Sequence, residues 1–132
     1  MEVVFMSKQA LHTENAPAAI GPYSQAIKAG NTVYVSGQLP IDPASGAFAG
    51  EDIESQTRQS LTNVKNILES CGADMGSVVK TTVLLADIAD FAAMNSVYAE
   101  FFSAPYPARA AFQVAALPKA AKVEIEVVAV VE

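Results

Sequence analysis

The change to helical spacing near the middle of the chain constrains the fold most. Four apolar residues recur there at the spacing of one helix face: Leu61, Val64, Leu68 and Cys71. Polar residues fill the opposite side, acidic residues precede the stripe, and Gly72 follows it as a residue suited to a left-handed helix end. The pattern predicts an amphipathic helix over residues 52–71, with Cys71 in the core and not acting as a nucleophile.

The segments around this helix have the alternation and the β-branched composition of strands. The predicted strands are a short one at residues 9–13, a hairpin of 26–29 and 32–36 around Gly30-Asn31, and strands at 78–86, 109–115 and 122–131. A second helix is predicted over residues 90–102, capped by Asp87 or Asp90, with an apolar face of Phe91, Met94, Tyr98 and Phe101. Two helices packed on one face of a mixed sheet define an α+β fold, which we predict as a single domain of residues 1–132.

Composition limits the partners of such a domain. Hydrophobic residues make up 52% of the 132 residues and charged ones only 17%, so we expect the surface to associate with identical chains. The net charge is −6 and no Lys/Arg cluster occurs, which argues against binding to nucleic acid or to an anionic membrane. No apolar run approaches the length of a membrane span.

Cysteine usage and the N-terminus indicate a compartment. The single Cys71 excludes an internal disulfide framework and suits a reducing environment. The first six residues have neither the basic region nor the apolar length of a signal peptide. We therefore expect a cytoplasmic protein, in which Met6 is a second candidate start and residues 1–5 are an N-terminal extension.

Arg109 is the first candidate binding residue because it is isolated from other basic residues. No Lys or Arg occurs between Lys80 and Arg109, and Pro105 and Pro107 stiffen the chain just before it. A guanidinium with a fixed direction presents a planar set of donors to a carboxylate. Small residues on the same strand face, such as Ala111, leave space for a bound molecule. The alternative interpretation is a surface arginine at a strand end.

Three further candidates lie where the chain is stiff or the backbone is accessible. Tyr23 follows Gly21-Pro22 in a rigid loop, and loops of this kind present polar side chains to ligands as often as they cap a sheet. Ser36 and Gly37 end a strand at a point where the backbone can approach a ligand closely. Asn95 lies beside the apolar face of the second helix, and the pattern alone does not place it in a site.

The acidic residues of the last strand and the only histidine complete the set. Glu124 and Glu126 share one strand face and are expected to be solvated. If one of them is partly buried beside a ligand, its pKa would rise and it could transfer protons. His12 has no partner histidine for metal binding and is expected to have a structural or surface role.

Several of these segments together resemble the RidA (YjgF-type) family of reactive imine/enamine deaminases. The motifs run in order from about residue 8 to the C-terminus: Ile20-Gly-Pro-Tyr-Ser-Gln-Ala26, Val35-Ser-Gly-Gln-Leu-Pro40, Asn63-Val-Lys-Asn-Ile-Leu68, Val79-Lys-Thr-Thr-Val83, Pro107-Ala-Arg-Ala-Ala-Phe112, Leu117-Pro-Lys119 and Val123-Glu-Ile-Glu126. The resemblance implies a chorismate-mutase-like fold assembled as a homotrimer, with sites in the clefts between subunits. It also implies hydrolysis of small 2-imino acids and their 2-aminoacrylate tautomers to 2-oxo acids and ammonia, without a metal or an organic cofactor.

The same resemblance implies roles for individual residues. Arg109 would bind the substrate carboxylate, and Glu124 would position or activate the attacking water. Tyr23 and Ser36 would line the cleft, with Gly37 permitting close approach. The chain departs from the family in one respect, because Ala111 stands where many members carry a cysteine. A thiol-dependent activity is therefore not expected, and the pocket is wider at that point.

Two other functions remain open at this stage. In the first, the trimer is a non-catalytic binder of small 2-oxo or amino acids that regulates a metabolic partner, because one arginine serves capture and catalysis equally. In the second, the protein is an endoribonuclease or translation inhibitor, which an acidic chain without a basic stripe fits poorly.

Overall fold

The computed structural model describes residues 7–132, which form one six-stranded sheet with two long helices. The strands are β1 (Lys8–Leu11), β2 (Ala26–Ala29), β3 (Thr32–Gln38), β4 (Val78–Leu85), β5 (Ala108–Gln113) and β6 (Val123–Val130). The helices are α1 (Ile53–Glu69) and α2 (Phe91–Phe101), and short 3-10 turns lie at Met75–Ser77, Ile88–Asp90 and Pro118–Ala120. The predicted extension at residues 1–5 lies outside the described residues.

The sheet is mixed, and both helices lie on the same side of it. The strand order is β1-β2-β3-β6-β4-β5, in which β4 and β5 are parallel and the other neighbours are antiparallel. Helix α2 connects the parallel pair β4 and β5, whereas α1 connects β3 to β4 across the inserted strand β6. Parallel strands need such crossovers, and helices that return over one face leave the other face uncovered. The predicted α+β fold is confirmed.

Helix α1 forms where the apolar stripe predicts it. The carboxylate of Asp52 accepts a hydrogen bond from the Ser55 N–H at 2.9 Å and so caps the first turn. Gly72 ends the helix at φ +82°, a conformation that costs glycine little. Leu68 is fully buried, whereas Cys71 is partly exposed and packs against the edge of the core, so the core prediction for Cys71 is only partly correct.

Helix α2 is preceded by a 3-10 turn that the sequence pattern did not indicate. Asp87 caps this turn by accepting from the Ala89 N–H at 2.9 Å, and Asp90 makes no side-chain capping bond. Met94 and Tyr98 of the predicted apolar face are buried, whereas its two phenylalanines are only partly covered.

The strand predictions need small corrections. Strand β1 occupies Lys8–Leu11 instead of residues 9–13, and β5 ends at Gln113 instead of residue 115. Strand β3 extends past residue 36 to Gln38 because a β-bulge lets it continue beside β6. The hairpin turn at Gly30-Asn31 is confirmed, with Gly30 at φ +60°.

The helices cover one face of the sheet and leave the other face exposed. Side chains that point toward the helices, such as Val33, Val83 and Ile125, are fully buried. On the opposite face, Tyr34 is 52% exposed and Phe112 is 47% exposed. Aromatic side chains left open on a sheet face are typical of a surface that another chain covers. In the described part of the chain, no helix has the length and apolar character needed to cross a membrane.

Candidate active site

Arg109 projects from the edge strand β5 toward α2, where its guanidinium is held from two directions. Its register partner Thr81 is buried, and the Thr81 hydroxyl lies 2.8 Å from the Tyr98 hydroxyl. Arg109 Nη1 donates to Asn95 Oδ1 at 2.7 Å, and Cζ lies 4.7 Å from the centre of the Tyr98 ring and 5.4 Å from that of Phe91. Amide and aromatic contacts of this kind fix the plane of the guanidinium.

The guanidinium borders an open cavity of about 460 Å³. The cavity is lined by Asn95, Tyr98, Ala99, Tyr106, Pro107 and Arg109. The bond to Asn95 uses one of the five N–H donors of the guanidinium, and the others have no hydrogen-bond partner within residues 7–132. This geometry leaves donors available for a carboxylate.

A second group of candidate residues lies at the bulge in β3. The register of β3 on β6 shifts between Val35 and Gln38, so Ser36 and Gly37 together oppose Glu126. A bulge re-aims neighbouring side chains and interrupts regular pairing. The Ser36 hydroxyl donates to the Ser24 carbonyl at 2.6 Å and so ties the bulge to the loop before β2.

Glu124 packs directly over Gly37. A Cβ added to Gly37 would overlap with Glu124 Oε2 and would lie 2.9 Å from Glu124 Cδ. The carboxyl is half-buried, and this burial raises the pKa of Glu124 above its usual value, with the charge of Glu126 adding to the effect. The expectation that both glutamates are solvated holds for Glu126, which is exposed, but not for Glu124, whose partial burial matches the alternative.

We expect Glu124→Gln to stabilise the protein near neutral pH. The raised pKa means that the folded state disfavours the charged form, so ionisation of Glu124 costs stability above the folded pKa. Below the unfolded pKa the carboxyl is protonated in both states, and the cost disappears. The melting temperature of Glu124→Gln should therefore exceed that of the wild type at pH 7 to 8, and the difference should vanish toward about pH 4.

Glu100→Gln is the control, for which the opposite change in melting temperature is expected. Glu100 is paired with Arg58 at 2.9 Å, and the hydrogen bond from Arg58 lowers the pKa of Glu100. Its removal should lower the melting temperature slightly at neutral pH. A melting temperature of Glu124→Gln below that of the wild type at pH 7 would contradict the raised pKa of Glu124.

Beside Gly37 lies a cavity of about 280 Å³ that includes Tyr23 in its wall. Its lining comprises Pro17, Ala18, Ile20, Tyr23, Gln25, Gly37, Gln38, Leu39, Ile41 and Lys119. Gln25, only 2% exposed, fixes the wall: its side chain accepts from the Thr13 N–H at 2.8 Å and donates to the carbonyls of Thr13 and Pro17 at 3.0 and 2.8 Å. The cavity is therefore preformed by buried hydrogen bonds.

Arg109 and Glu124 project from opposite faces of the sheet. Arg109 is aligned with Thr81, which faces the helices. Glu124 is aligned with Leu84 and through it with Phe112, which lies on the uncovered face. Their Cα atoms are separated by two strand spacings of about 4.8 Å and by three residues of about 3.3 Å each. Within one chain the two side chains point apart, and no ligand-sized molecule can contact both.

The structure thus divides the predicted site residues into two groups. Tyr23, Ser36, Gly37 and Glu124 lie together around the β3 bulge. Arg109 lies apart from them, beside the aromatic side chains of α2. Ala111 is on the same strand face as Arg109 and packs against the core.

Asn95 is the residue that the sequence reasoning left undecided. Asn95 contacts Arg109 because α2 returns over β5. In the sequence, the only indication of this contact was that Asn95 lies one turn before Tyr98. His12 is exposed, as expected. Within residues 7–132, His, Cys, Asp and Glu side chains do not gather in any group of three that could hold a metal ion.

These features define an α+β domain with two half-sites on opposite faces of its sheet: the guanidinium of Arg109 beside α2, and the half-buried carboxyl of Glu124 beside Gly37. The family described as Endoribonuclease L-PSP matches residues 13–131 of the chain. The protein belongs to this family, and the resemblance to RidA proteins is confirmed.

Individual relatives are similar over nearly the whole chain. Reactive Intermediate Deaminase A, chloroplastic, of Arabidopsis thaliana is 56% identical over 124 residues, which are 94% of this chain and 66% of the relative. The 2-iminobutanoate/2-iminopropanoate deaminase of Capra hircus is 54% identical over 93% of this chain and 90% of the relative. The crystal structure of E. coli TdcF with bound serine is 44% identical, with a TM-score of 0.90, and covers 94% of this chain and 99% of that one.

Proposed function

We propose that this protein hydrolyses reactive 2-imino acids and their 2-aminoacrylate tautomers to 2-oxo acids and ammonia. The observation that carries the proposal is the combination of a guanidinium, held by Asn95 and with donors unpaired in the described part of the chain, and a half-buried carboxyl of raised pKa. Relatives more than half identical to this chain are named as deaminases of such compounds. No metal or organic cofactor is required by this chemistry, since an imine carbon is already electrophilic.

Arg109 binds the substrate carboxylate in this proposal. Its planar donors match the two oxygens of a carboxylate, and Asn95 and Tyr98 keep the fork from rotating. Fixing the carboxylate also fixes the adjacent imine carbon, which contributes to the rate through orientation. Ala111 lies on the same strand face as Arg109 but packs against the core, and it is not among the residues that line the cavity beside Arg109.

Glu124 transfers protons in this proposal. Its carboxylate takes a proton from water as the water oxygen bonds to the imine carbon, and it returns that proton to the imine nitrogen to give a carbinolamine. The carboxylate then takes the hydroxyl proton and delivers it to the amino nitrogen as the carbon–nitrogen bond breaks, which releases ammonia and leaves the 2-oxo acid. Water and the 2-imino acid are consumed, and a 2-oxo acid and ammonia are formed. A pKa raised toward the working pH suits a group that both accepts and donates a proton. Gly37 leaves room for the carboxyl, and Tyr23 and Ser36 shape the cleft around it.

The separation of the two half-sites supports a homotrimer in which each site lies between two copies. The uncovered sheet face exposes Tyr34 and Phe112, and its burial against identical faces would remove apolar surface from water. Strand β5 is the sheet edge, so Arg109 of one copy can reach Gly37 and Glu124 of the next. Sedimentation of the protein should give three times the chain mass.

The proposed activity is tested with imines generated in situ by an amino-acid oxidase. The purified protein should accelerate the appearance of 2-oxo acid and ammonia over the rate with oxidase alone. If the wild type gives no acceleration with imines of several amino acids, the deaminase proposal is wrong.

Non-catalytic binding of small amino or 2-oxo acids is the second candidate, because the structure of the similar TdcF contains bound serine. That function predicts saturable binding of serine or a 2-oxo acid without any acceleration. The family description includes an endoribonuclease, yet the net charge of −6 disfavours binding to RNA. A cytoplasmic location stays a prediction.

A further inference from the structure

Within residues 7–132, two hydrogen bonds join helix α2 to the sheet, and both lie beside Arg109. One is the contact of Asn95 with Arg109 on the edge strand β5. The other joins the hydroxyl of Tyr98 to the hydroxyl of Thr81 on β4 at 2.8 Å. Asn95 and Tyr98 are three residues apart and therefore lie on one face of the helix. The bond between Thr81 and Tyr98 thus anchors the helical turn that contacts Arg109.

Thr81 interrupts an apolar row on the side of β4 that faces the helices. The next two residues on that side, Val83 and Leu85, are fully buried. Thr81 is fully buried as well, and a hydroxyl in such a place costs free energy unless it is hydrogen-bonded. Valine has nearly the same shape, so packing alone does not require the hydroxyl. Its contribution is therefore the hydrogen bond to Tyr98.

That hydrogen bond determines where the Tyr98 ring lies relative to Arg109. Thr81 stands directly beside Arg109, because the two residues are in register on the parallel strands β4 and β5. The Tyr98 ring lies 4.7 Å from Arg109 Cζ and packs against Phe102, with the two ring centres 4.6 Å apart. Apolar packing has little directionality, whereas a hydrogen bond has a preferred distance and angle. The bond to Thr81 therefore limits the movement of the ring more than the packing does.

We infer that Thr81 is a positioning residue, which acts through Tyr98 to hold the Arg109 guanidinium in the plane that receives the substrate carboxylate. This inference rests on the part of the proposed function that assigns the carboxylate to Arg109. Thr81 itself is buried and does not line the cavity beside Arg109. Loss of the bond weakens carboxylate binding and leaves Glu124 unchanged. The kcat/KM should therefore fall mainly through a higher KM, and the pH dependence of the rate should keep its shape.

Two variants separate positioning from stability. Thr81→Val/Tyr98→Phe removes both hydroxyls and leaves neither unpaired, so its melting temperature should stay near that of the wild type. Its kcat/KM for 2-iminobutanoate formed in situ should fall about fivefold, the effect of one hydrogen bond. Thr81→Ser keeps the hydroxyl but loses a buried methyl group, so its melting temperature should fall while its kcat/KM stays within about twofold of the wild type. A purely structural role predicts the opposite order of the two activities.

Single variants and a matched control complete the series. Thr81→Val and Tyr98→Phe break the same bond, so each should lose as much kcat/KM as the double variant. Thr62→Val is the matched control, because the Thr62 hydroxyl donates to the Arg58 carbonyl at 2.7 Å within α1, away from both half-sites. The affinity for 2-oxobutanoate, the product of 2-iminobutanoate hydrolysis, is a second measurement that needs no turnover. It should fall by the same factor in the double variant and stay unchanged in Thr62→Val.

The outcomes distinguish this inference from the function on which it rests. A wild type that hydrolyses imines, with variants whose kcat/KM follows their melting temperature, overturns the role of Thr81 and leaves the deaminase proposal intact. A wild type that accelerates no imine contradicts the proposed function. In that case, weaker binding of 2-oxobutanoate by the double variant and not by Thr62→Val still supports positioning by Thr81. Equal binding by the wild type and the double variant, or no binding by either, overturns it.

Discussion

Arg109→Ala should lower kcat/KM for 2-imino acids by about 10²- to 10³-fold, the range expected when one partner of a desolvated charged pair is removed. In the proposed mechanism the guanidinium binds the substrate carboxylate, and its remaining donors have no hydrogen-bond partner within residues 7–132. Arg109→Lys should recover only part of the activity, because an ammonium is a point charge and cannot bind both oxygens in a planar fork. The measurement is the initial rate of imine hydrolysis at several substrate concentrations.

Two further variants provide losses of activity with which the loss in Arg109→Ala can be compared. Asn95→Ala removes one contact that orients Arg109 and leaves the Tyr98 ring in place, so its loss should be smaller, about tenfold. Arg58→Ala removes an arginine whose exposed partner Glu100 lies away from both half-sites, and it should leave the rate within about twofold of the wild type. Equal activity of Arg109→Ala and Arg58→Ala would contradict a role for Arg109 in binding the substrate.

Gly37→Ala should lower kcat/KM about 10²-fold or more while leaving the fold almost as stable as the wild type. Gly37 does not adopt a positive φ, so alanine is compatible with its backbone. The added Cβ overlaps the flexible end of Glu124 and forces the carboxyl out of its place. The expected result is a melting temperature close to that of the wild type and a nearly inactive enzyme.

Gly46→Ala is the control, because it should lower stability and leave activity unchanged. Gly46 has φ +74° with no heavy atom within 4 Å of an added Cβ, so alanine there meets backbone strain but no steric clash. The variant should lose about 1 kcal/mol of stability and retain its activity. The double variant Gly37→Ala/Glu124→Gln should be no less active than Glu124→Gln alone, because both changes remove the same carboxylate. Full activity of Gly37→Ala would show that the position of Glu124 is unimportant.

Local sequence patterns predicted most of the fold. The apolar stripe of α1 and the alternation of β6 gave the correct elements because each pattern is set by burial of one face. The ends of β3 and β5 were less predictable, since a bulge and the edge of a sheet depend on neighbouring strands. The 3-10 turn before α2 was missed because a single Asp87 cap has the same sequence signal as the start of an α-helix.

The candidate site could be predicted as a set of residues but not as a geometry. Arg109 was recognisable because it is isolated behind two prolines. The contact of Gly37 with Glu124 depends on strand pairing between distant parts of the chain, which no local pattern encodes. The left-handed backbone of Lys119 and Ala120, with φ values of 58° and 57°, was not predictable from the sequence because neither residue is a glycine.

The central claim is that Arg109 of one copy and Glu124 of another complete each site, because the two side chains point to opposite faces within one chain. Arg109→Ala and Glu124→Gln, each inactive alone, should regain activity when equal amounts are unfolded together and refolded. Random assembly should give about a quarter of the wild-type rate, since one site in four receives both intact residues. A refolded mixture that sediments as mixed trimers and stays as inactive as the separate variants would contradict the claim.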